Sequence, residues 1–203
     1  MTESREKKAL LIALLVAIPL VFAFARAMAD GATRHRETAM RAVLGDERFE
    51  ALRAGEGGVP HYIGNDRRAP DFLLRDRQGR PFRLSEHRGR VVVLNFWSIT
   101  CPPCIEELPT IDTLAQIAER WGDVDVVAIS TDDSWDEVAA IVPRDAKATY
   151  LLDPTDEVVR GKFGSRLYPE TWIIDREGII RFRFDGARDW SEPLMLSVIE
   201  SFR

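Results

Sequence analysis

Apolar and polar positions divide the chain into an uninterrupted apolar segment near the N-terminus and a long region of alternating patterns. No charged residue occurs from Ala9 to Ala25. Beyond residue 66, short apolar runs typical of strands alternate with stretches whose apolar residues recur at helical spacing. Between the two lies a polar stretch broken by several glycines, which favours loops over regular structure. We therefore predict a membrane segment at 1–29, a tether at 30–66 and one folded domain at 67–203.

The folded domain is predicted to centre on a buried strand followed by a long helix. Val91 to Trp97 is a nearly continuous apolar run, as expected for a strand covered on both faces. From Pro102 to Trp121 apolar residues recur at helical spacing, with Pro109 as the site of a kink. The other predicted elements are a β-hairpin (72–74 and 82–84), strands 124–130 and 150–152, helices 134–142 and 157–163, a second hairpin (171–175 and 179–184) and a C-terminal helix, 192–202.

The order of these elements predicts the fold class. Parallel crossovers in the middle and an antiparallel hairpin near the C-terminus indicate an α/β fold with a mixed central β-sheet flanked by helices. The first hairpin would form an N-terminal extension of that sheet. Ser134 and Glu137 have the spacing of a capping box, so we expect the helix at 134–142 to begin there.

The apolar segment is predicted to be an uncleaved transmembrane anchor. A spanning helix needs about 17 to 25 residues, whereas the apolar part of a secretory signal has about 7 to 15. Lys7 and Lys8 precede the segment and should stay in the cytoplasm. A cleaved signal is the alternative, since Ala27-Met28-Ala29 matches a signal-peptidase site. On either interpretation the folded domain lies outside the cytoplasm. We expect a single-pass protein of the inner (cytoplasmic) membrane, facing the periplasm or the cell exterior.

Composition and charge narrow the chemistry. The 203 residues carry a formal net charge of −5, so the chain has no overall basic field and we expect no nucleic-acid partner. Two cysteines are too few for a disulfide-stapled scaffold. They are Cys101 and Cys104, and they stand between the predicted central strand and the long helix.

A C-x-x-C pair has three common functions, and two of them do not fit. Structural zinc needs four ligands, and the three histidines all lie upstream without paired spacing. Haem attachment needs a histidine directly after the second cysteine, and that residue is Ile105. A redox dithiol remains, because C-x-x-C beside a βαβ pattern is typical of a thioredoxin-like site. A static, stabilising disulfide is the alternative, although so small a loop restricts little chain entropy.

The placement of the pair predicts a role for each cysteine. At a helix N-terminus the partial positive charge of the backbone favours a thiolate, so Cys101 is the candidate nucleophile. Cys104 lies one turn further along and is placed to resolve a mixed disulfide. Pro102 and Pro103 suit the first helical turn, where an N–H would lack an intrahelical partner.

The segment around the two cysteines, Asn95 to Pro109, resembles the active-site segment of the TlpA/ResA-type thiol–disulfide oxidoreductases. The resemblance extends from Ala69 to about residue 185 and includes Pro169-Glu170-Thr171. It implies a thioredoxin-like fold and a membrane-tethered, extracytoplasmic protein. Thr100 departs from the family pattern, which has tryptophan before the first cysteine. That difference concerns the surface that meets the partner more than the reaction.

The same resemblance assigns two further site residues. Glu107, three positions after Cys104, corresponds to the family's active-site acid, and a partly buried carboxylate there would have a raised pKa and relay a proton. A solvated helical glutamate is the alternative. Pro169 corresponds to the cis-proline that faces the dithiol, with an ordinary trans loop proline as the alternative. The sequence does not determine the isomer of the Tyr168-Pro169 bond.

The function that the resemblance implies is reduction of protein disulfides outside the cytoplasm, for example in apocytochrome c, with electrons from a membrane thiol donor. We expect a monomeric enzyme without cofactor or metal. A thiol peroxidase of the same fold is one alternative; Ser98 fits its pattern, but Leu94 stands where that pattern needs proline. A copper chaperone is the other; it needs a downstream histidine, and none follows His87.

Overall fold

The computed structural model of the protein describes residues 17–26, residue 41 and residues 67–203. Residues 17–26 are helical and exposed. Within these described ranges, no helix is long and apolar enough to cross a membrane. Most of the predicted anchor, the possible cleavage site and nearly all of the predicted tether lie outside the described residues.

The folded domain consists of seven strands, three α-helices and two short turns of other helical types. The strands are β1 Leu73–Asp76, β2 Pro81–Arg83, β3 Val91–Trp97, β4 Val124–Ser130, β5 Thr149–Leu152, β6 Glu170–Ile174 and β7 Ile180–Asp185. The helices are α1 Pro102–Trp121, α2 Trp135–Val138 and α3 Pro193–Glu200, with a 3-10 turn at Leu84–His87 and a π-helical turn at Glu157–Lys162.

The strands form one mixed sheet in the order β2-β1-β5-β4-β3-β6-β7. β3, β4 and β5 run parallel to one another, while β6 pairs antiparallel with β3 and β7 antiparallel with β6. At the other edge β1 pairs antiparallel with both β2 and β5. The predicted α/β fold with a mixed central sheet is therefore confirmed.

Every residue of β3 is buried, because hydrophobic layers cover both faces of the sheet. Side chains of a strand alternate between faces, so Val93 and Trp97 enter one core cluster while Leu94 and Phe96 enter the other. The first cluster contains the apolar faces of α1 and α3. The second contains the aromatic rings before β1 and after the π-helical turn. This explains why β3 has no polar face in the sequence.

Two predicted helices differ from the structure. α2 is one turn long and Ser134 makes no side-chain capping bond, so the predicted capping box is wrong. Beyond α2 the chain continues as turns, in which i→i+3 bonds such as that from Ile141 N to Val138 O (3.0 Å) mix with an i→i+4 bond from Val142 N to Val138 O (2.9 Å). The predicted helix at 157–163 is a π-helical turn. Its first amides, of Val158 and Val159, donate to the buried Asp153 carboxylate at 2.9 and 2.8 Å.

A pair of leucine-to-alanine variants tests how strongly the fold depends on β3. Leu94 is fully buried, whereas Leu73 on β1, between β2 and β5, is 47% exposed. Leu94→Ala should lower the free energy of unfolding by about 2 to 5 kcal/mol, because it leaves a cavity in the second cluster. Leu73→Ala should cost less than about 1 kcal/mol. Guanidinium denaturation measures both; equal losses would contradict the central role of β3.

Candidate active site

The two cysteines lie where β3 leads into α1. β3 ends at Trp97, the chain turns, and Cys101 occupies the N-cap position of α1 with proline at the first two helical positions. Cys101 and Cys104 form a disulfide with their Cα atoms 5.3 Å apart. The strand-to-helix junction predicted from the sequence is therefore where the structure places this pair.

The two sulfurs have different environments. Cys104 is 1% exposed and belongs to the core, whereas Cys101 is only partly buried. The backbone amide of Cys104 donates to Cys101 Sγ at 3.3 Å, and it is the hydrogen bond found at that sulfur in the described part of the chain. The positive end of the helix also faces Cys101. An incoming partner can therefore reach Cys101 but not Cys104.

A buried carboxylate fixes the loop before Cys101. Asp132, which follows β4 and is 8% exposed, accepts hydrogen bonds from Ser98 Oγ (2.8 Å) and Ser130 Oγ (2.6 Å). It also accepts from the amide of Ile99 at 3.0 Å. The Ser98 hydroxyl lies 2.9 Å from that of Thr100, the exposed residue next to Cys101. The loop thus has a defined conformation that depends on one acid.

Glu107 is buried in the structure, so the alternative of a solvated helical glutamate is wrong for this state of the protein. Its side chain is 3% exposed, and Trp190 Nε1 donates to Oε1. Burial raises the pKa of Glu107 to about 7, against the opposing effects of the Trp190 indole, Arg188 and Asn95. Residues three apart on a helix lie about 5–6 Å apart at Cβ, which puts this acid beside Cys104.

Pro169 lies at the same edge of the sheet as the disulfide. The Tyr168-Pro169 peptide bond is cis, and Pro169 is buried directly before β6. In the antiparallel pairing of β3 with β6, Phe96 is opposite Glu170. The bond therefore stands next to the end of β3, where the loop to Cys101 begins.

A second buried acid adjoins Pro169 and was not singled out from the sequence. Glu170 is 1% exposed, forms an ion pair with Arg183 (2.8 Å) and accepts from Trp172 Nε1 (2.5 Å). Burial raises the pKa of Glu170, and Arg183 opposes that effect. Its register partner Phe96 belongs to the second cluster, whereas Glu107 lies on α1 against the first. The two acids therefore lie on opposite faces of the sheet.

The sequence also gave no signal for Asp132 or Trp190, because each acts through a contact with a distant segment. Trp190 bonds a residue 83 positions away, and Asp132 one 34 positions away. Among the described residues, no group of three or more His, Cys, Asp or Glu side chains is placed to hold a metal ion.

A redox disulfide at a strand-to-helix junction of such a sheet is typical of thioredoxin-like thiol–disulfide oxidoreductases. Comparison with known proteins agrees. A sequence model of the AhpC/TSA family matches residues 66–183. The chain belongs to this family, and its relatives make it a ResA-type thiol–disulfide oxidoreductase.

Two relatives and one solved structure illustrate the similarity. The chain is 31% identical over 121 residues to thioredoxin-like protein YneN of Bacillus subtilis, covering 59% of this chain and 70% of YneN. It is 32% identical over 119 residues to thiol-disulfide oxidoreductase ResA of Geobacillus thermodenitrificans, covering 59% and 68%. The crystal structure of a putative thiol:disulfide interchange protein DsbE from Chlorobium tepidum superposes with a TM-score of 0.58 at 27% identity, covering 70% of this chain and 99% of that one. The expected thioredoxin-like fold is confirmed.

Asp132→Asn tests whether the carboxylate fixes the loop. An amide cannot accept all the hydrogen bonds that the carboxylate accepts, so a buried donor loses its partner. We expect the free energy of unfolding to fall by about 1 to 3 kcal/mol. Asp133→Asn, at the exposed neighbour, is the matched control and should change stability little. Equal stabilities for the two variants would mean that Asp132 does not hold the loop.

Glu107→Gln tests the raised pKa of Glu107 through stability. The carboxyl of the unfolded chain ionises near the ordinary glutamate pKa of 4.5, and that of the folded chain near about 7. The folded form therefore binds more protons between these values, and stability falls as pH rises through them. The test compares the free energy of unfolding of oxidised Glu107→Gln with that of the oxidised wild type. Above pH 7 this difference should favour the variant by up to about 3 kcal/mol more than it does at pH 4.

Guanidinium denaturation at several pH values measures this difference. Glu106→Gln, at the exposed adjacent residue, controls for the change in net charge. A stability difference between Glu107→Gln and the wild type that stays constant from pH 4 to 8 would contradict the raised pKa.

Proposed function

We propose that this protein reduces disulfides of other proteins outside the cytoplasm. The observation that carries the proposal is the unequal burial of the Cys101–Cys104 disulfide at the start of α1, with Glu107 one turn beyond it. One sulfur is open to a partner and the other is enclosed next to an acid. This is the arrangement needed for an attacking and a resolving cysteine.

In the first step the Cys101 thiolate attacks a disulfide of the substrate protein. A bond forms between Cys101 Sγ and one substrate sulfur, and the substrate disulfide breaks. The other substrate sulfur leaves as a thiolate. The amide of Cys104 and the helix N-terminus stabilise the thiolate before it attacks. Pro169, which the family resemblance places facing the dithiol, is assigned in this proposal to the surface that receives the substrate chain.

In the second step Cys104 releases the product. The Cys104 thiol gives its proton to the Glu107 carboxylate, and the resulting thiolate attacks Cys101 Sγ. The mixed disulfide breaks, the second substrate sulfur leaves as a thiolate, and the Cys101–Cys104 disulfide forms. The proton on Glu107 then passes to a departing thiolate. A pKa of about 7 lets Glu107 both accept and return a proton near neutral pH.

The next cycle needs two electrons, which we assign to a membrane thiol donor. Its dithiol exchanges with the Cys101–Cys104 disulfide and is itself oxidised to a disulfide. The apolar segment from Ala9 to Ala25 supports a single-pass anchor in the inner membrane, with the domain facing the periplasm or the cell exterior. In this proposal the protein is a monomer, and the β1–β2 hairpin is an N-terminal extension of the thioredoxin-like sheet.

Apocytochrome c is the specific substrate that we propose. The support for this substrate is the resemblance of the segment around Cys101 and Cys104 to the TlpA/ResA-type proteins. Apocytochrome c presents cysteines that must be reduced before haem attachment. The peroxidase and copper-chaperone alternatives have less support. Leu94 stands where the peroxidase pattern needs proline, and the histidine that a copper chaperone needs after its cysteines is missing from the sequence.

The hydrogen bonds to Cys101 favour the reducing direction. Pro102 and Pro103 have no N–H to donate, so the amide of Cys104 supplies the bond to Cys101 Sγ. With few donors the Cys101 thiolate gains limited stabilisation. A less stabilised thiolate makes the reduced form less favoured and the protein a better reductant.

A redox titration of the full chain against glutathione or dithiothreitol tests this direction. We expect a potential nearer the roughly −270 mV of thioredoxin than the roughly −120 mV of DsbA. A pH titration of the Cys104→Ser variant, monitored by thiolate absorbance, measures the pKa of Cys101. We expect a pKa well above the value of about 3.5 found in strong oxidants of this fold. A potential above about −150 mV would assign the protein as an oxidase instead.

A further inference from the structure

The segment after β7 contacts Glu107 through Trp190. Trp190 is fully buried in the first core cluster, and its indole ring meets the phenyl ring of Phe184 edge-on, with 5.5 Å between the ring centroids. Thr110, on the same helix as Glu107, holds the segment at its backbone. Its hydroxyl accepts from the amide of Trp190 (3.1 Å) and lies 3.3 Å from the carbonyl of Arg188. Trp190 is therefore fixed both at its indole ring and at its backbone.

The two oxygens of Glu107 have different surroundings. Oε1 accepts from Trp190 Nε1. Oε2 is buried and has no hydrogen-bond partner within the part of the chain that the structure describes. An unpaired buried oxygen is costly when charged, and it is the position at which a proton is best accommodated.

We propose that Trp190 is the positioning residue for the active-site acid: its indole N–H holds Oε1 of Glu107 and leaves Oε2 to take and return the proton. This inference rests on the proposed function, in which Glu107 accepts the proton of Cys104. It adds a residue outside the stretch matched by the family model, which ends at residue 183. The acid lies inside the matched stretch and its hydrogen-bond donor outside it.

Among the charged and polar groups around Glu107, Trp190 has the largest effect against the rise in the pKa of Glu107 that burial causes. On the segment after β7, Trp190 and then Arg188 lower the pKa of Glu107. On β3 the Asn95 amide has a smaller effect; its Nδ2 donates to Thr171 Oγ1 at 2.8 Å. On α1 itself the Cys104 thiol of the reduced protein lies one turn before Glu107, and the adjacent Glu106 is exposed. Loss of the indole N–H should therefore raise the pKa of Glu107.

Trp190→Phe removes the N–H and keeps a buried aromatic ring. Trp97→Phe is the matched control, since Trp97 is also fully buried in the first cluster and its Nε1 has no hydrogen-bond partner among the described residues. Both variants lose the same atoms from the same core. Only Trp190→Phe loses a hydrogen bond to Glu107.

The first measurement follows the Glu107 carboxyl directly. Carbon-13 spectra of the oxidised full chain, assigned with Glu107→Gln, give its titration midpoint without a titrating thiol. We expect a midpoint near pH 7 in the wild type and in Trp97→Phe. In Trp190→Phe we expect a midpoint about one pH unit higher, as for loss of a hydrogen bond to a charged group. An unchanged midpoint in Trp190→Phe would overturn the inference.

The second measurement follows the resolving step. The reduced full chain is mixed with oxidised glutathione. Mass spectrometry of quenched samples then follows the formation and loss of the Cys101–glutathione mixed disulfide. The rate at which Cys104 attack removes the mixed disulfide should rise with pH around the titration midpoint of Glu107. In Trp190→Phe this rise in rate should occur about one pH unit higher. Trp97→Phe should keep the wild-type profile.

Glu107→Gln separates failure of the inference from failure of the proposed function. If Glu107→Gln leaves the resolving step unchanged from pH 5 to 9, the proton role of Glu107 is wrong and Trp190 has no acid to position. If Glu107→Gln abolishes the acceleration while Trp190→Phe leaves its midpoint in place, the proton role stands and the inference about Trp190 is wrong.

Discussion

The burial of β3 on both faces is the constraint on which the redox site depends. Because β3 pairs with β4 on one side and β6 on the other, the ends of three strands meet at one edge of the sheet. The loop to Cys101 leaves from β3, Asp132 follows β4, and Pro169 precedes β6. Each strand is fixed by its neighbours, so the pairing of the strands holds these groups together.

The site also places ionisable groups in surroundings that disfavour charge. Glu107 and Glu170 are both almost fully buried, on opposite faces of the sheet, and burial raises the pKa of each. Both acids accept from an indole N–H, but in the described part of the chain only Glu170 also forms an ion pair, with the guanidinium of Arg183. A carboxylate beside a cation has a reason to stay charged, whereas one with a neutral donor changes protonation more readily near neutral pH. This difference suits Glu107 for proton transfer and Glu170 for a structural ion pair.

Much of the fold was predictable because it follows from local pattern. The apolar run at 91–97 marked the central strand, and the apolar spacing after Pro102 marked the long helix that follows it. The short helices were less predictable. The spacing of Ser134 and Glu137 suggested a cap that does not form, and the turn after Asp153 has a π-helical pattern with no sequence signature. In such short elements a few tertiary hydrogen bonds outweigh local propensity.

By itself the sequence determined that Cys101 and Cys104 stand at a strand-to-helix junction, and that Glu107 follows on the same helix one turn later. Those relations are local, and helical periodicity fixes them. Only the tertiary structure decided how deeply Glu107 is buried and which groups surround it. Its hydrogen-bond donor lies 83 residues away, and the acid that holds the loop before Cys101 comes from the end of another strand. Burial and long-range contacts set a pKa, and both depend on how distant segments pack.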